Sequence, residues 1–277
     1  MSFDLDRYTL ERVAHVSDAL AVFCPPDGSQ LREAMRYSLL AGGKRLRPLL
    51  CIAAAEAVGS NIEGVLPAAC ALEMIHTFSL IHDDMPAMDD DDLRRGLPTC
   101  HVKYGEALAI LAGDALHALA FAVAPTHAPL FAQACGQMCQ GQAEDLEAEG
   151  KSITLGQLQR VHAHKTGALL RASVLAGAYG APAHQQSSLS HYGECIGMAF
   201  QIVDDILDVT GDDATLGKPA GSDLKHDKAT YPKLVGLDES KRLARAAEQE
   251  ALEALEIFGQ SAEPLREIAR YIVERNT

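Results

Sequence analysis

Apolar residues along this chain of 277 residues recur mostly at the three- and four-residue spacing of amphipathic α-helices. No stretch shows convincing period-two alternation, and no sequence unit repeats at a fixed distance. Turn-forming residues such as Gly59, Pro98, Pro125 and Gly150 fall between the helix-sized segments. The pattern predicts helices near residues 30–40, 46–58, 65–84, 104–123, 128–148, 155–178, 186–209, 228–258 and 262–275.

The segment TGDDATLGKPAGSDLKHDK, residues 210–228, interrupts this pattern because it is rich in Gly, Asp and Lys and has no helical period. Such a segment is typical of a loop beside a binding site. No linker divides the chain into independent halves. We therefore expect one all-α domain that spans residues 1–277.

The composition is consistent with a helical, acidic protein. Alanine and leucine supply most of the 48% hydrophobic content and tryptophan is absent, which favours helices over strands. A net charge of −14 argues against a nucleic-acid-binding protein. The seven cysteines are scattered without a CxxC pair, as in reduced cytoplasmic proteins. Because no signal-peptide pattern is present and charges interrupt the apolar stretches, we expect a cytoplasmic protein without membrane insertion.

The first stretch with candidate chemistry is DDMPAMDDDDLRRG, residues 83–96, which follows an apolar helix. Six aspartates lie between Asp83 and Asp92, and Arg94 and Arg95 come directly after them. An acidic run alone is most often a solvated surface. A second cluster elsewhere in the chain is therefore needed before these carboxylates indicate a site.

That second cluster is FQIVDDILDVTGD, residues 200–212. Asp208 follows Asp204 by one helical turn, and Gln201 precedes Asp204 by nearly one turn, so all three share a helix face. The apolar residues on the other side are expected in the core: Ile202, Val203, Ile206 and Leu207. Carboxylates one turn apart on a half-buried helix destabilise the fold unless a cation binds them. Two such clusters indicate a functional site.

Oxygen ligands from carboxylates suit Mg²⁺, with Mn²⁺ possible, because these hard cations retain waters and bind substrate phosphates. The EF-hand pattern D-x-[DN]-x-[DN]-G is absent. His162 and His164 have no companion cysteines, so they are better explained as core or surface residues. The sequence predicts a magnesium site that bridges to phosphate.

Basic residues offer phosphate contacts without metal. Lys44 and Arg47 in AGGKRLRP are three apart and share a helix face, although GxxxxGK[ST] is absent and an ordinary basic first turn remains possible. Lys165, Lys218 and Lys228 are either solvated lysines or further phosphate contacts. Two sets of cations beside two sets of carboxylates suit two anionic substrates, one bound through metal and one by Lys and Arg alone.

Five motifs in this order resemble the trans-prenyl diphosphate synthase family: GGKRLRP, DDMPAMDDDDLRRG, HKTG, FQIVDDILD and GKPAGSDLKHDKATYP. The resemblance covers roughly residues 30–277 and is strongest to the bacterial farnesyl diphosphate synthase type. It implies an isoprenoid-synthase helical bundle around a central cavity, a homodimer, and Mg²⁺-dependent head-to-tail condensation of isopentenyl diphosphate with allylic diphosphates.

The resemblance also implies residue roles. The metal ligands would be Asp83, Asp84, Asp89, Asp204 and Asp208. The allylic diphosphate would contact Arg94, Lys165, Thr166, Gln201, Lys218 and Lys228. Isopentenyl diphosphate would be bound by Lys44, Arg47, His76 and Arg95. The helix period supports His76 independently, because it lies two turns before Asp83 and therefore on the same face.

Phe78, five residues before Asp83, is the predicted determinant of product length. In the family an aromatic residue here, together with the two-residue insertion that gives DDMPAMD its four-residue gap, accompanies a fifteen-carbon product, although Phe78 is also compatible with an ordinary core position. Alternatives are a geranylgeranyl or longer-chain synthase, a terpene cyclase, and a catalytically silent partner subunit. The two-diphosphate basic set argues against the cyclase, and the intact aspartates argue against the silent subunit. The segment 120–138 is shorter than in familiar bacterial enzymes, which affects the expected dimer surface and cavity wall.

Overall fold

The computed structural model describes residues 3–210 and 228–274 and confirms the all-α prediction. We number the α-helices of the described residues in chain order as α1 Leu5–Phe23, α2 Gln30–Leu39, α3 Leu46–Ala57, α4 Ile62–Asp83, α5 Cys100–Tyr104, α6 Glu106–Val123, α7 Ala128–Ala148, α8 Leu155–His162, α9 Ala168–Gly177, α10 Ala183–Thr210, α11 Tyr231–Val235, α12 Leu237–Ala254 and α13 Glu263–Glu274. A single 3₁₀ turn, Pro125–His127, precedes α7, and a 3₁₀ segment with a kink at Gly259, Glu256–Ala262, precedes α13. A π-helical turn, Ala163–Gly167, joins α8 to α9.

The core is organised around α3 and α4, whose apolar residues are buried on most of their surface. One cluster lies between α4 and helices α1, α2, α6, α7 and α9. A second lies between α3, α9, α10, α12 and α13. A small third cluster, which includes Leu158, Ile202, Val203 and Tyr231, lies beneath the C-terminal end of α10. Burial of these apolar surfaces is the main stabilising contribution, and it fixes the ends of α4 and α10 in space.

Three features differ from the sequence prediction. Helix α1 was not predicted, because only Tyr8, Val16 and Leu20 are buried in its 19 residues and its apolar stripe is weak. The predicted helix 228–258 is divided at Gly236, whose φ of +86° ends α11 and begins α12. A short antiparallel pair, β1 Leu93–Arg94 and β2 Leu97–Pro98, was too short to leave a period-two signal.

Helices α4 and α6 are both long and apolar enough to cross a membrane by length and composition, a length of apolar helix that the charges in the sequence did not suggest. The apolar window of α4 is 61% buried inside the protein, as in a core helix. The corresponding window of α6 is only 28% buried, and Ile110 and Leu111 are among its exposed residues. Helix α6 therefore presents an apolar face that the described residues of the chain do not cover.

A buried ion pair attaches the chain between α2 and α3 to the core helix α4. Arg45 begins α3 with a left-handed φ of +48°, and its side chain is almost fully buried. Its guanidinium donates to Glu73 Oε1 at 2.6 Å and to the Leu39 carbonyl at 2.7 Å. These charge-assisted bonds compensate the cost of removing two charges from water and of the unusual backbone conformation. The basic motif that surrounds Arg45 is thus held in one place relative to α4.

We predict that Glu73→Gln lowers the free energy of unfolding by on the order of 3 kcal/mol, because it leaves the Arg45 charge buried and without a carboxylate. Urea unfolding followed by circular dichroism measures the change. The control is Glu239→Gln, which breaks the exposed ion pair with Arg242 and is expected to change stability very little. Equal effects of the two substitutions would contradict a stabilising role for the buried pair.

Candidate active site

The first carboxylate cluster is positioned by the C-terminal end of α4. Asp83 is the last residue of α4 and Asp84 follows as its cap. The Asp89 amide donates to the Asp83 carbonyl at 2.9 Å, which folds the following turn back towards the helix end. Asp83 and Asp89 are half-buried, whereas Asp90 is exposed. The spacing of the motif therefore brings its first and its seventh residue to the same region.

Asp84 and Arg94 form a close ion pair. The carboxylate of Asp84 is buried and accepts bonds from Arg94 Nε at 2.6 Å and Nη2 at 2.5 Å. Arg94 also lies 3.7 Å from the carboxylate of Asp91. In this arrangement Asp84 holds Arg94 next to Asp83. The structure thus places a cation at the edge of the aspartate cluster.

The surroundings of Asp83 disfavour the charged form of its carboxyl group. Burial raises the pKa of the Asp83 carboxyl to about 6, and the nearby Asp89 and Asp84 carboxylates act in the same direction. The positive charges of Lys165 and Arg94 only partly compensate. A carboxylate in this state is stabilised by any additional cation that reaches it.

The second cluster lies at the C-terminal end of α10, and its members face different ways. Asp205 is buried and accepts the Tyr231 amide at 2.8 Å, so it anchors α11. Asp208 is also buried, and its Oδ2 atom makes no hydrogen bond within the described part of the chain. Asp204 is half-buried one turn before Asp208. The predicted core residues Ile202, Val203 and Ile206 are buried, and Leu207 packs against them.

A lysine–carboxylate network joins α7, the π-helical turn and the first cluster. Lys165 Nζ donates to Asp145 Oδ2 at 2.6 Å. Lys228 Nζ lies 3.6 Å from both Asp145 and Asp89, and 3.8 Å from Glu149. Although burial acts to raise it, the pKa of Asp145 is held below its ordinary value by Lys165 and Lys228. The two lysines are therefore fixed beside Asp89 by carboxylates of α7.

Asp145 is a site residue that the sequence interpretation missed. It lies in GQAEDLEAEG, residues 141–150. The buried residues of α7 include Phe131, Cys135 and Met138, and Asp145 continues their three- and four-residue spacing. The signal available in the sequence was a carboxylate at a position where the apolar stripe of the helix predicts a buried residue.

The π-helical turn that carries Lys165 and Thr166 fits closely between two helices. Gly141 of α7 lies against the Lys165 backbone, where a side chain would overlap it. A Cβ atom on Gly197 of α10 would lie 2.9 Å from the Cα atom of Gly167. Both glycines are needed because the turn bulges beyond the normal helix radius. The bulge moves Lys165 and Thr166 towards the carboxylates.

A separate basic set forms where α3 meets α4. Burial lowers the pKa of the Arg47 guanidinium to about 10, despite the opposing charges of Glu73 and Asp204. Burial also holds the pKa of His76 well below its ordinary value, and Arg47 and Arg95 are the largest charges acting in the same direction. Arg47 Nε and His76 Nδ1 are buried without a hydrogen-bond partner among the described residues. This combination of buried, unsatisfied donors and positive charge is suited to an anion.

Arg95 joins this set by packing on the glycine turn that precedes Lys44. Its guanidinium donates to the Gly42 carbonyl. Gly43 has a φ of +116°, and a Cβ atom there would lie 2.5 Å from the Arg95 guanidinium carbon. Lys44 itself is exposed, with its Nζ atom 6.0 Å from the ring centre of Tyr271 on α13. The predicted residues Lys44, Arg47, His76 and Arg95 therefore lie in one region.

Phe78 lies between α4 and α6. Its ring centre is 4.6 Å from that of His117 and 5.8 Å from that of His82, and His117 in turn packs against Phe121 at 5.0 Å. These rings form an aromatic layer one to two turns before Asp83. Thr166 and Gln201 are half-buried on their elements, and Lys218 lies outside the described residues.

Known proteins resemble this chain over nearly its whole length. The sequence profile of a family described as Polyprenyl synthetase matches residues 28–272. The chain is 47% identical over 293 residues to the geranylgeranyl diphosphate synthase of Cyanophora paradoxa, covering 99% of this chain and 98% of the relative. It is 46% identical over 288 residues to the farnesyl diphosphate synthase of Escherichia coli, covering 95% and 96%.

A solved polyprenyl synthase from Caulobacter crescentus has a TM-score of 0.91 to this structure at 29% identity, covering 100% of this chain and 99% of that one. That crystal structure contains calcium and isoprenyl diphosphate. The resemblance therefore extends to the arrangement of all the described helices.

The raised pKa of Asp83 predicts a pH-dependent stability of the metal-free protein. The folded state binds this proton more tightly than the unfolded chain, so stability falls as the pH rises from 3.8 to about 6 and stays low above that. Asp83→Asn should then be more stable than the wild type at pH 7, by about 2 kcal/mol. The gain should disappear as the pH is lowered through that window.

Denaturant titrations at several pH values in the presence of a chelator measure this difference. Asp90→Asn serves as the control, because Asp90 is exposed and its φ of +52° is tolerated by Asn. A stability gain for Asp83→Asn that does not change between pH 4 and pH 7 would refute the electrostatic explanation.

Proposed function

The chain belongs to the polyprenyl synthetase family, and from this premise we propose that it joins isopentenyl diphosphate head-to-tail to dimethylallyl and geranyl diphosphates, with farnesyl diphosphate as the product. The observation that carries the proposal is the presence of two different anion sites. One is a basic set with buried, unsatisfied nitrogen atoms on Arg47 and His76. The other combines lysines with two groups of carboxylates, as a metal-bound diphosphate requires.

The carboxylates fit a divalent metal. Asp83 has a raised pKa, and Asp208 has a buried oxygen without a hydrogen-bond partner in the described chain, so both would be stabilised by a cation. Asp83, Asp89, Asp204 and Asp208 would hold Mg²⁺ or Mn²⁺, with Asp84 acting mainly through Arg94. When bound, the metal supplies positive charge for the diphosphate leaving group. The calcium in the Caulobacter relative's structure supports a divalent ion.

The lysines and Arg94 would bind the allylic diphosphate from the protein side. Lys165, Lys228 and Arg94 are already positioned by Asp145, Asp89 and Asp84, so little reorganisation is needed when negative charge develops. Breaking the C–O bond of the allylic substrate sends the electron pair to the diphosphate and leaves an allylic carbocation. Thr166, Gln201 and Lys218 would complete the contacts to this diphosphate.

The basic set would bind the second substrate. Lys44, Arg47, His76 and Arg95 would contact the diphosphate of isopentenyl diphosphate without metal. The double bond of that substrate attacks the carbocation, forming the new C–C bond, and loss of a proton gives the new allylic diphosphate. An apolar cavity wall would exclude water from the carbocation. A cyclase would need only the first of these two diphosphate sites.

The direct test incubates the pure protein with Mg²⁺, isopentenyl diphosphate and an allylic starter, and measures the products by mass spectrometry. We expect condensation that is abolished by a chelator. Asp83→Ala or Asp204→Ala should lower turnover at least about a thousandfold with the fold intact, because each removes stabilisation of the leaving group. The control Asp18→Ala removes an exposed carboxylate of α1 and should have no effect. Near-normal turnover of Asp83→Ala, or reaction of the allylic substrate alone, would overturn the proposal.

The farnesyl product rests on Phe78, since relatives with either product are equally similar in sequence. A growing hydrocarbon tail would run along α4 away from Asp83, and five residues correspond to a rise of about 7.5 Å, or one to two isoprene units. The Phe78 ring is braced by His117 at 4.6 Å and does not simply end in open space. This aromatic layer is suited to stop elongation at fifteen carbons.

We predict that Phe78→Ala shifts the product to twenty carbons or longer, because it removes the ring that closes the end of the tail pocket. Chromatographic sizing of the products measures the shift. Phe23→Ala is the matched control, since it truncates a half-buried phenylalanine of α1 that packs on the same core cluster. An active Phe78→Ala enzyme that still stops at fifteen carbons would contradict this role, and a twenty-carbon product from the wild type would favour geranylgeranyl synthesis.

We further propose that the chain works as one all-helical domain in a cytoplasmic homodimer without membrane insertion. The supporting feature is the uncovered apolar face of α6, where Ile110 is 46% and Leu111 is 52% exposed. A second copy of the same face would bury these residues by two-fold symmetry. Such an arrangement places α6, which braces Phe78, at the subunit interface.

We predict that the paired substitution Ile110→Glu with Leu111→Glu converts the dimer to a monomer, because burying four carboxylates across the two-fold axis is unfavourable. Light scattering after size-exclusion chromatography measures the mass. Leu10→Glu, at an exposed apolar position on α1, is the control and should leave the dimer unchanged. A wild-type protein that is monomeric at high concentration would rule out the proposed use of this face.

A further inference from the structure

Three potential metal ligands meet on the outer side of α10, away from the carboxylates at its end. His191 and Cys195 are four residues apart and therefore on one face of α10, and Glu250 approaches them from α12. The Cys195 sulfur lies 3.8 Å from His191 Nε2 and 3.8 Å from Glu250 Oε2. All three ligand atoms lie within 4.8 Å of one another.

These distances fit a tetrahedral ion with little movement. With Zn–S near 2.3 Å and Zn–N or Zn–O near 2.0 Å, tetrahedral geometry separates the sulfur from each other ligand by about 3.6 Å. The observed separations of 3.8 Å are close to this value. Oxygen, nitrogen and sulfur together suit zinc and similar transition metals, whereas Mg²⁺ avoids thiolate.

The chemical surroundings also favour a cation. Cys195 is buried at the helix interface, while His191 and Glu250 are exposed and leave room for a water as the fourth ligand. Within residues 3–210 and 228–274 no lysine or arginine pairs with Glu250, and the neighbouring Glu194 is paired with Arg171. Burial raises the pKa of the Cys195 thiol to about 12, and Glu250 and Glu194 act in the same direction. A bound metal would displace the thiol proton and remove this repulsion.

This group is separate from the proposed catalytic site. Asp204 follows Cys195 by nine residues, a distance of about 13.5 Å along the helix. Helices α10 and α12 pack against each other over much of their length. An ion held by residues of both helices would clamp α12 to the helix that carries Asp204 and Asp208.

We propose that His191, Cys195 and Glu250 form a structural binding site for Zn²⁺ or a related transition-metal ion between α10 and α12. The site is independent of the proposed function, because it does not include any residue assigned to substrate or magnesium. It requires no change in the fold, only deprotonation of the thiol and small side-chain rotations.

The test titrates metal-free, full-length protein with Co²⁺ in excess Mg²⁺, which occupies the carboxylate clusters. Thiolate bound to Co²⁺ gives a near-ultraviolet charge-transfer band that carboxylate ligands do not give, and Zn²⁺ should displace it. Cys195→Ser should abolish the band, whereas Cys139→Ser, at an exposed cysteine outside the group, should retain it. Absence of the band in the wild type, or its persistence in Cys195→Ser, would overturn the proposal.

Because Cys195→Ser changes a buried residue, a second variant distinguishes loss of the metal site from misfolding. Glu250→Gln alters an exposed position and should weaken Co²⁺ binding at least about tenfold while the band keeps its thiolate character. Unchanged Co²⁺ affinity in Glu250→Gln, with circular dichroism showing the native fold, would remove α12 from the site and contradict a clamp between the helices.

Discussion

The structure depends on how negative charge is compensated where the turn after α4, the C-terminal end of α7 and the residues before α11 approach one another. Lys228 interacts with Asp89, Asp145 and Glu149 together, and Lys165 shares Asp145, so two cations serve several carboxylates. Apolar packing beneath α10 fixes the end of that helix, so the carboxylates that it carries cannot separate to relieve their repulsion. The negative charge that remains would be stabilised by external cations, and in our proposal bound metal supplies them.

Much of this could be predicted from the sequence, and the failures have physical reasons. The face shared by Asp204 and Asp208 followed from helical spacing, because Ile202, Val203 and Ile206 mark the core side. Asp145 was missed since its significance depends on lysines 20 and 83 residues later in the chain, which only the tertiary fold brings to it. Likewise, the π-helical turn depends on space left by Gly141 and Gly197, which no local pattern reveals.

Overall sequence identity and the local geometry of the site inform about different properties of the protein. Identities of 47% and 46% to synthases with different products establish the common reaction type but leave the product open. In our proposal product length depends on a few side chains along one wall, such as Phe78 and His117, to which overall identity is insensitive. One fold can support different products through such local changes.

Helix α4 carries Glu73, His76, Phe78 and Asp83 within eleven consecutive positions of one continuous helix. Through Glu73 it also fixes Arg45 and hence the basic loop. The backbone hydrogen bonds of the helix therefore fix the spacing between these four side chains. Replacing one side chain leaves the positions of the other three unchanged. Inserting a single residue after Phe78, in contrast, would rotate Asp83 by about 100° and shift it by about 1.5 Å relative to Glu73, His76 and Phe78. An insertion here would therefore separate the residues that we propose to bind isopentenyl diphosphate and to limit the tail from the carboxylates that we propose to hold metal, whereas a substitution would alter one of these roles alone.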